Sequence, residues 1–286
     1  YDTMPNVKAV IDLASEQTGL DIPALCFEEN DKLNITEYTQ ICMLAVEAAI
    51  YQAIIDKGIT PDVTAGLSLG EYGALIASGA MTMADAFAVV RKRGIYMQEA
   101  VPTGGAMTAV LGLDPQVIED ICKKTADETN SVVSVANYNC PGQIVITGEK
   151  AAVDAAAAAC SEAGAKRCVP LKVSGPFHSA MLKGAGEKLA DALESVEIHD
   201  IKVPYITNVT ADYVKSPADV KDYLTQQVSS SVRWQQTIER LIADGADEFV
   251  EIGPGRSLSG FMRKINRDVK VVNIDKLEDF EKYVNR

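Results

Sequence analysis

Gly66-Leu67-Ser68-Leu69-Gly70 is a G-x-S-x-G pentapeptide between a strand-like run, Val63-Thr64-Ala65, and a helix-like run, Glu71 to Ser78, closed by Gly79. In that setting the pattern predicts a nucleophile elbow. The serine sits on a tight turn, and small residues two before and two after keep neighbouring backbone clear of it. The turn lifts the hydroxyl off the strand and leaves the next backbone N–H at a helix start, where it can stabilise an oxyanion. The competing reading is an incidental Gly-rich turn.

A serine hydroxyl is a weak nucleophile near neutral pH and needs a base within hydrogen-bond reach. The chain has two histidines, His178 and His199. His178 lies in Val173-Ser174-Gly175-Pro176-Phe177-His178-Ser179, a turn from which a side chain can project into a cleft between subdomains. His199, in the polar stretch Glu197-Ile198-His199-Asp200, reads as a solvated surface residue. His178 is therefore the candidate base, against the alternative of a histidine satisfied within its turn. An acidic third member would fall between serine and histidine in the chain. No carboxylate there stands in a distinctive motif, and a backbone carbonyl could orient the imidazole instead.

Arg93 lies on the shoulder of a helical apolar face built from Met83, Phe87, Val90, Gly94 and Met97, while Lys92 points the opposite way. A guanidinium keeps its charge, so this one calls for an anionic partner. That partner is either an internal Asp or Glu or a substrate carboxylate held by the planar fork. Periodicity leaves both open.

The elements that must position these residues fall into two rhythms. Asn34-Ile35-Thr36-Glu37 has capping-box spacing and opens a long helix that runs to Lys57, with Gly58 as its stop. Met81 to Ala100 forms another helix, and Pro102-Thr103-Gly104-Gly105 breaks the chain. There follow a strand over 106–113, a helix over 115–127, strands over 131–136 and 143–147, a helix over 150–163 and a strand over 166–173. That β-α-β-β-α-β order predicts a ferredoxin-like small subdomain over 104–174, inserted into a large subdomain formed by 1–103 and 175–286. Beyond it a helix over 180–193, a strand over 203–207, a helix over 232–244 and a strand over 248–252 predict an α/β unit with a parallel sheet covered on both faces.

Composition narrows the classes. With 27 basic against 40 acidic residues the formal net charge is −13, which argues against nucleic-acid binding. An acidic partner would need a local basic patch, and Lys166-Arg167 and Arg263-Lys264, with Arg267, are the densest candidates; the plain alternative is a solvated surface. Six cysteines without C-x-x-C spacing suggest reduced thiols in a cytoplasm, and two histidines make a His-rich metal site unexpected. No run approaches about 18 consecutive apolar residues, so no transmembrane helix is expected, and no basic-then-apolar leader is present. The first residue is Tyr1, so the natural start is expected to lie outside this sequence.

Gly66-Leu67-Ser68-Leu69-Gly70-Glu71-Tyr72 resembles the G-H-S-L-G-E-Y signature of bacterial malonyl-CoA:acyl carrier protein transacylases. The resemblance spans nearly the whole chain. Arg93-Gly94 with Met97-Gln98-Glu99-Ala100-Val101-Pro102 is similar to that family's arginine helix, and Asn137-Tyr138-Asn139-Cys140-Pro141-Gly142-Gln143 to its N-x-N-x-P-G-Q hairpin. Phe177-His178-Ser179 resembles its histidine turn, and Glu251-Ile252-Gly253-Pro254-Gly255 its G-P-G strand.

The resemblance implies an α/β-hydrolase-like large subdomain in which Ser68 is malonylated by malonyl-CoA. It then passes the acyl group to the phosphopantetheine thiol of acyl carrier protein, for fatty-acid biosynthesis. It implies His178 as general base and acid, Leu69 N–H as an oxyanion donor, the Gln227 carbonyl as the imidazole's orienting group and Arg93 as holder of the malonyl carboxylate. Met97, Asn137, Gln143 and Phe177 are implied at the substrate site, and Lys166, Arg167, Arg263 and Lys264 are the expected carrier-docking residues. No cofactor, metal, nucleic acid or membrane is expected, and the enzyme is expected to be a cytoplasmic monomer.

Two departures stand out. Leu67 replaces the family's histidine beside the nucleophile. The family's opening strand and G-Q-G loop, which supply a second oxyanion donor, have no counterpart in the sequence. The competing functions are a serine esterase or thioesterase and a non-catalytic carrier-binding module.

Overall fold

The computed structural model of the protein describes residues 1–173 and 175–286. Three helices form the base of the larger part: α1 (Pro5–Thr18), α2 (Ile22–Phe27) and α3 (Thr36–Ile55). Helix α1 starts with proline in its first turn and stops at Gly19, whose φ of 69° lets its N–H close on Ser15 O. The predicted capping box at α3 does not form. Ile35 is the N-cap, Asn34 ends a 3₁₀ turn, and Glu37 is drawn away by an ion pair with Arg91 at 2.8 Å. By length and composition α3 could cross a membrane, but half of its apolar stretch is buried inside this protein, between α1 and α5 (Met83–Ala100).

Between these helices the chain passes Thr64 and enters α4 (Gly70–Ser78). In α5, Thr82 caps the N-terminus by accepting from Asp85 N–H. Phe87, Val90, Gly94 and Met97 are buried, and so is Arg93, at 1% exposure; the shoulder position assigned from periodicity is in fact interior. Gly94 marks the closest crossing with α3: a Cβ there would lie 2.9 Å from Glu37 Cα.

Residues 105–170 alternate as β1 (Gly105–Leu111), α6 (Pro115–Thr129), β2 (Val133–Cys140), β3 (Gln143–Glu149), α7 (Lys150–Glu162) and β4 (Arg167–Pro170). The strands form one antiparallel sheet in the order β2-β3-β1-β4. It has a core of its own, with Val110, Ile118, Ile146, Val153 and Ala156 between sheet and helices. Strand β4 ends at Pro170 rather than running to Val173, although Leu171 N–H still donates to Met107 O at 2.9 Å. The boundary expected between 174 and 175 falls at Ser174, which lies outside the described residues.

The rest of the chain supplies α8 (Lys183–Glu194), α9 (Val220–Gln227), α10 (Trp234–Ala243), β5 (Glu248–Ile252), α11 (Ser257–Ile265), β6 (Lys270–Ile274) and α12 (Leu277–Val284). The parallel sheet anticipated from the sequence is present only in part. Strands β5 and β6 pair in parallel, but the segments around 63–65 and 203–207 meet only at Thr64 and Tyr205. Pro61 and Gly66 bound the first segment closely and Pro204 interrupts the second, so neither has room for a full ladder.

The antiparallel sheet is tied to the larger part through β2. Val232 N–H donates to Ala136 O at 2.8 Å, and Tyr138 N–H donates to Val232 O at 2.9 Å. Glu251 accepts from Leu258 N–H and Ser259 N–H, both at 2.9 Å, and so anchors the N-terminus of α11.

Candidate active site

Ser68 occupies the bend between the Thr64 segment and α4 with φ of 52°, a left-handed conformation that costs a non-glycine residue energy and needs external support. Gly66 is obligatory for the bend, since a Cβ there would fall 1.9 Å from the carbonyl carbon and oxygen of Gly70. Gly70 has open space around it, so only the first glycine of the motif is required sterically. Asn208 supplies the support: its Oδ1 accepts from Ser68 N–H and its Nδ2 donates to Gly66 O, both at 2.6 Å. Leu69 N–H, at the start of α4, has no acceptor among the described residues.

His178 also has positive φ, 59°, and is 4% exposed. Its Nε2 lies 2.8 Å from Ser68 Oγ, and its Nδ1 lies 2.9 Å from Gln227 O. A carbonyl can only accept, so the ring proton sits on Nδ1 and the Nε2 lone pair faces the serine hydroxyl. Burial, reinforced by the nearby Arg93 charge, pushes the His178 pKa down to about 4, so the imidazole is a free base at neutral pH. His199 sits elsewhere, partly exposed beside Glu197.

The Arg93 guanidinium donates from Nη2 to Ser68 Oγ at 3.1 Å and to Gln227 Oε1 at 3.0 Å, and from Nη1 to Gln40 Oε1. It also lies over the Tyr72 ring, 5.6 Å from the centroid. Among the described residues no carboxylate oxygen comes within 4.0 Å of it. Of the two partners left open by the sequence, an internal Asp or Glu is absent from its contacts. Burial depresses its pKa, with Tyr72 and Glu71 opposing the shift.

Gln227 closes the arrangement from the end of α9. Its main-chain oxygen holds His178, its Oε1 holds Arg93, and its Nε2 donates to Ser68 O at 3.0 Å and to Glu71 Oε2 at 2.7 Å. The side chains of Gln40, Asn208 and Gln227, and the contacts of Glu71, are parts of this network that sequence reasoning missed. Neutral amides scattered over the chain carry no charge pattern or spacing signal. Only Glu71 stood inside a recognisable motif.

The remaining sequence-predicted residues separate into two groups. Met97 is buried and its sulfur accepts from Gln40 Nε2 at 3.6 Å, while Phe177 packs beside His178 against both the main core and the antiparallel sheet. Asn137 is buried at the junction with Val232, and Gln143 Oε1 accepts from Lys264 Nζ at 3.3 Å. Neither of these two is hydrogen-bonded to Ser68, His178 or Arg93. The Lys166 side chain covers Gly112, whose N–H donates to Gly142 O at 2.9 Å, and Arg167 is paired with Leu111. Lys166, Arg167 and Lys264 thus gather around the 140–143 hairpin turn, with Arg263 exposed on α11 next to Lys264.

A strained serine facing a neutral, carbonyl-held histidine, on an α/β scaffold, defines a serine acyl-transfer centre. The model of the acyl transferase domain matches residues 5–274, and the chain belongs to that family. It is 44% identical to the malonyl CoA-acyl carrier protein transacylase of Bacillus subtilis (strain 168), over 98% of this chain and 89% of that protein. It is 42% identical to the protein of the same name from Staphylococcus aureus (strain MW2), over 94% of this chain and 87% of the relative. Among solved structures, MCAT from Streptococcus pneumoniae superposes with a TM-score of 0.95 at 45% identity, covering 100% of this chain and 93% of that one. A malonyl-transacylase in complex with a type II PKS acyl-carrier protein superposes with a TM-score of 0.95 at 38% identity, covering 99% and 92%.

Proposed function

We propose that the protein is an [acyl-carrier-protein] S-malonyltransferase that moves the malonyl group from malonyl-CoA to acyl carrier protein through a Ser68 acyl-enzyme, in fatty-acid biosynthesis. His178 Nε2 takes the Ser68 proton as Oγ attacks the thioester carbonyl, and the C–S bond breaks as the proton passes to the departing CoA sulfur. In the second half the carrier's phosphopantetheine thiol gives its proton to His178 and attacks the acyl-enzyme. The new C–S bond forms, the C–O bond breaks, and Ser68 recovers its proton. Leu69 N–H at the start of α4 stabilises the oxyanion in both halves.

The observation that carries the malonyl reading is Arg93: a buried cation beside the nucleophile, held in place by two neutral amides and left without a carboxylate. A substrate carboxylate completes it. We assign Met97 and Phe177 to the walls of the acyl site, and Asn137 and Gln143 to the path by which the thioester arm reaches it. Lys166, Arg167, Arg263 and Lys264 form the carrier-docking surface.

In this reading an α/β-hydrolase-like large subdomain, 1–103 and 175–286, carries the nucleophile, and a ferredoxin-like small subdomain, 104–174, forms the other wall. The enzyme works as a cytoplasmic monomer with no cofactor beyond its two substrates. Intact-protein mass measurement after mixing with malonyl-CoA tests it. The expected result is one malonyl adduct on Ser68 that is discharged by holo acyl carrier protein, whereas discharge by water at the same rate would indicate a hydrolase.

A further inference from the structure

Glu71 is wholly buried one helical turn from the nucleophile's own bend, yet it is hydrogen-bonded to neither Ser68 Oγ nor His178. One oxygen, Oε2, accepts from Gln227 Nε2 at 2.7 Å and from Asn208 N–H at 3.0 Å, while Oε1 has no hydrogen-bond partner in the structure. Its two partners are the residues that hold the reactive centre from opposite sides. Asn208 clamps Ser68 and Gly66, and Gln227 holds His178 through its carbonyl and Arg93 through its amide oxygen.

The Gln227 amide has one workable orientation. Arg93 can only donate, so it must face Oε1; Ser68 O can only accept, so it must face Nε2. Glu71 supplies the second acceptor that Nε2 needs. Without it, one buried amide N–H is unsatisfied, and the side chain is held toward Arg93 only by the Arg93 and Ser68 O bonds.

We propose that Glu71 is a positioning residue that fixes Gln227, and through it sets both the guanidinium that selects the acyl group and the imidazole that activates the serine. The inference rests on the malonyl reading of Arg93 for its selectivity part, and on the Ser68–His178 pair alone for its rate part. What it requires of residue 71 is an acceptor oxygen rather than a charge. A glutamine can offer its single oxygen to Gln227 and Asn208 and turn its amide nitrogen toward nearby Thr207, whose buried hydroxyl oxygen also has no hydrogen-bond partner. A methionine fills the same space and offers no comparable acceptor.

Single-turnover acylation by malonyl-CoA and by acetyl-CoA, with Glu71→Gln and Glu71→Met beside the parent, tests the proposal. Glu71→Gln should keep the malonyl-to-acetyl preference and the acetyl rate within about threefold. Glu71→Met should lower the acetyl rate by about tenfold and the preference by about another tenfold, each matching loss of one ordinary hydrogen bond. A folded Glu71→Met protein with both quantities unchanged overturns the proposal, because a purely structural role would lower only the amount of active enzyme. So does collapse of the preference or the acetyl rate in Glu71→Gln, which would make the charge the active feature; this arm decides the matter if the methionine variant does not fold. If the parent shows no preference for malonyl, the reading of Arg93 fails, and the acetyl rates still decide the role of Glu71.

Discussion

The amide of Asn208 bridges the nucleophile's turn, accepting from Ser68 N–H and donating to Gly66 O at the same 2.6 Å. Both groups belong to a bend that positive φ at Ser68 makes costly, so one side chain 140 residues away holds the serine in its reactive conformation. Asn208→Ala is expected to slow acylation by roughly 10- to 100-fold, the equivalent of about 1–3 kcal/mol for leaving the two partners unsatisfied. Single-turnover rates at equal active-site concentration check this. An unchanged rate would show that the turn holds without the clamp.

The two motif glycines should behave differently. Gly66→Ala forces a Cβ into the Gly70 carbonyl and is expected to destabilise the fold by about 3 kcal/mol or more. Gly70→Ala meets open space in the first turn of α4 and should change stability by less than about 1 kcal/mol, toward the stabilising side. Denaturant midpoints for the two variants distinguish them, and equal losses would contradict the steric account.

Ser68→Ala is expected to abolish acyl-enzyme formation, and His178→Ala to slow it by about 10³-fold or more, since nucleophile and base act as one unit. His199→Ala should match the parent. The active form of His178 is the neutral one, and burial with Arg93 nearby places its pKa at about 4. The acylation rate should therefore rise with pH through about 4 and stay level through the neutral range. A midpoint near 6.5, the value of a solvated imidazole, would count against the buried geometry.

Arg93→Ala should lose malonyl transfer while keeping transfer of uncharged acyl groups such as acetyl. Stranding a desolvated malonyl carboxylate carries a penalty of roughly 2–5 kcal/mol, and acetyl has no carboxylate to strand. Equal losses with both substrates would instead make Arg93 a structural residue of the Gln40 and Gln227 network.

The double variant Arg263→Glu and Lys264→Glu should slow transfer to the carrier and weaken its salt dependence, because an acidic enzyme and an acidic carrier repel except at a local positive patch. Acylation by malonyl-CoA should change less. Equal loss in both half-reactions would point to CoA phosphates as the ligand of that surface.

Much of the fold was legible where elements are long and periodic. Residues 105–170 show the two-residue and 3.6-residue rhythms in turn, and α6 and α7 begin within a residue of where the pattern places them. The parallel sheet was less so: Val63-Thr64-Ala65 and 203–207 have strand-like composition, but the neighbouring prolines and glycine cut them to a single bridge. Ser68, His178 and Arg93 could be singled out because a nucleophile, a base and a buried charge are rare or motif-bound. The amides of Gln40, Asn208 and Gln227 could not, because their importance comes from three-dimensional company rather than residue type.

The distances in sequence between these partners have a consequence for how the enzyme comes into being. Ser68 meets His178 across 110 residues, Asn208 across 140 and Gln227 across 159, and only Arg93 is comparatively local at 25. A nascent chain therefore carries the nucleophile long before anything can activate it, and the serine stays inert until α9 has emerged and docked. Such long-range closure comes late in folding and is slow. The first appearance of acylation during synthesis or refolding is thus a clock for the docking of α9, readable against the return of helical signal.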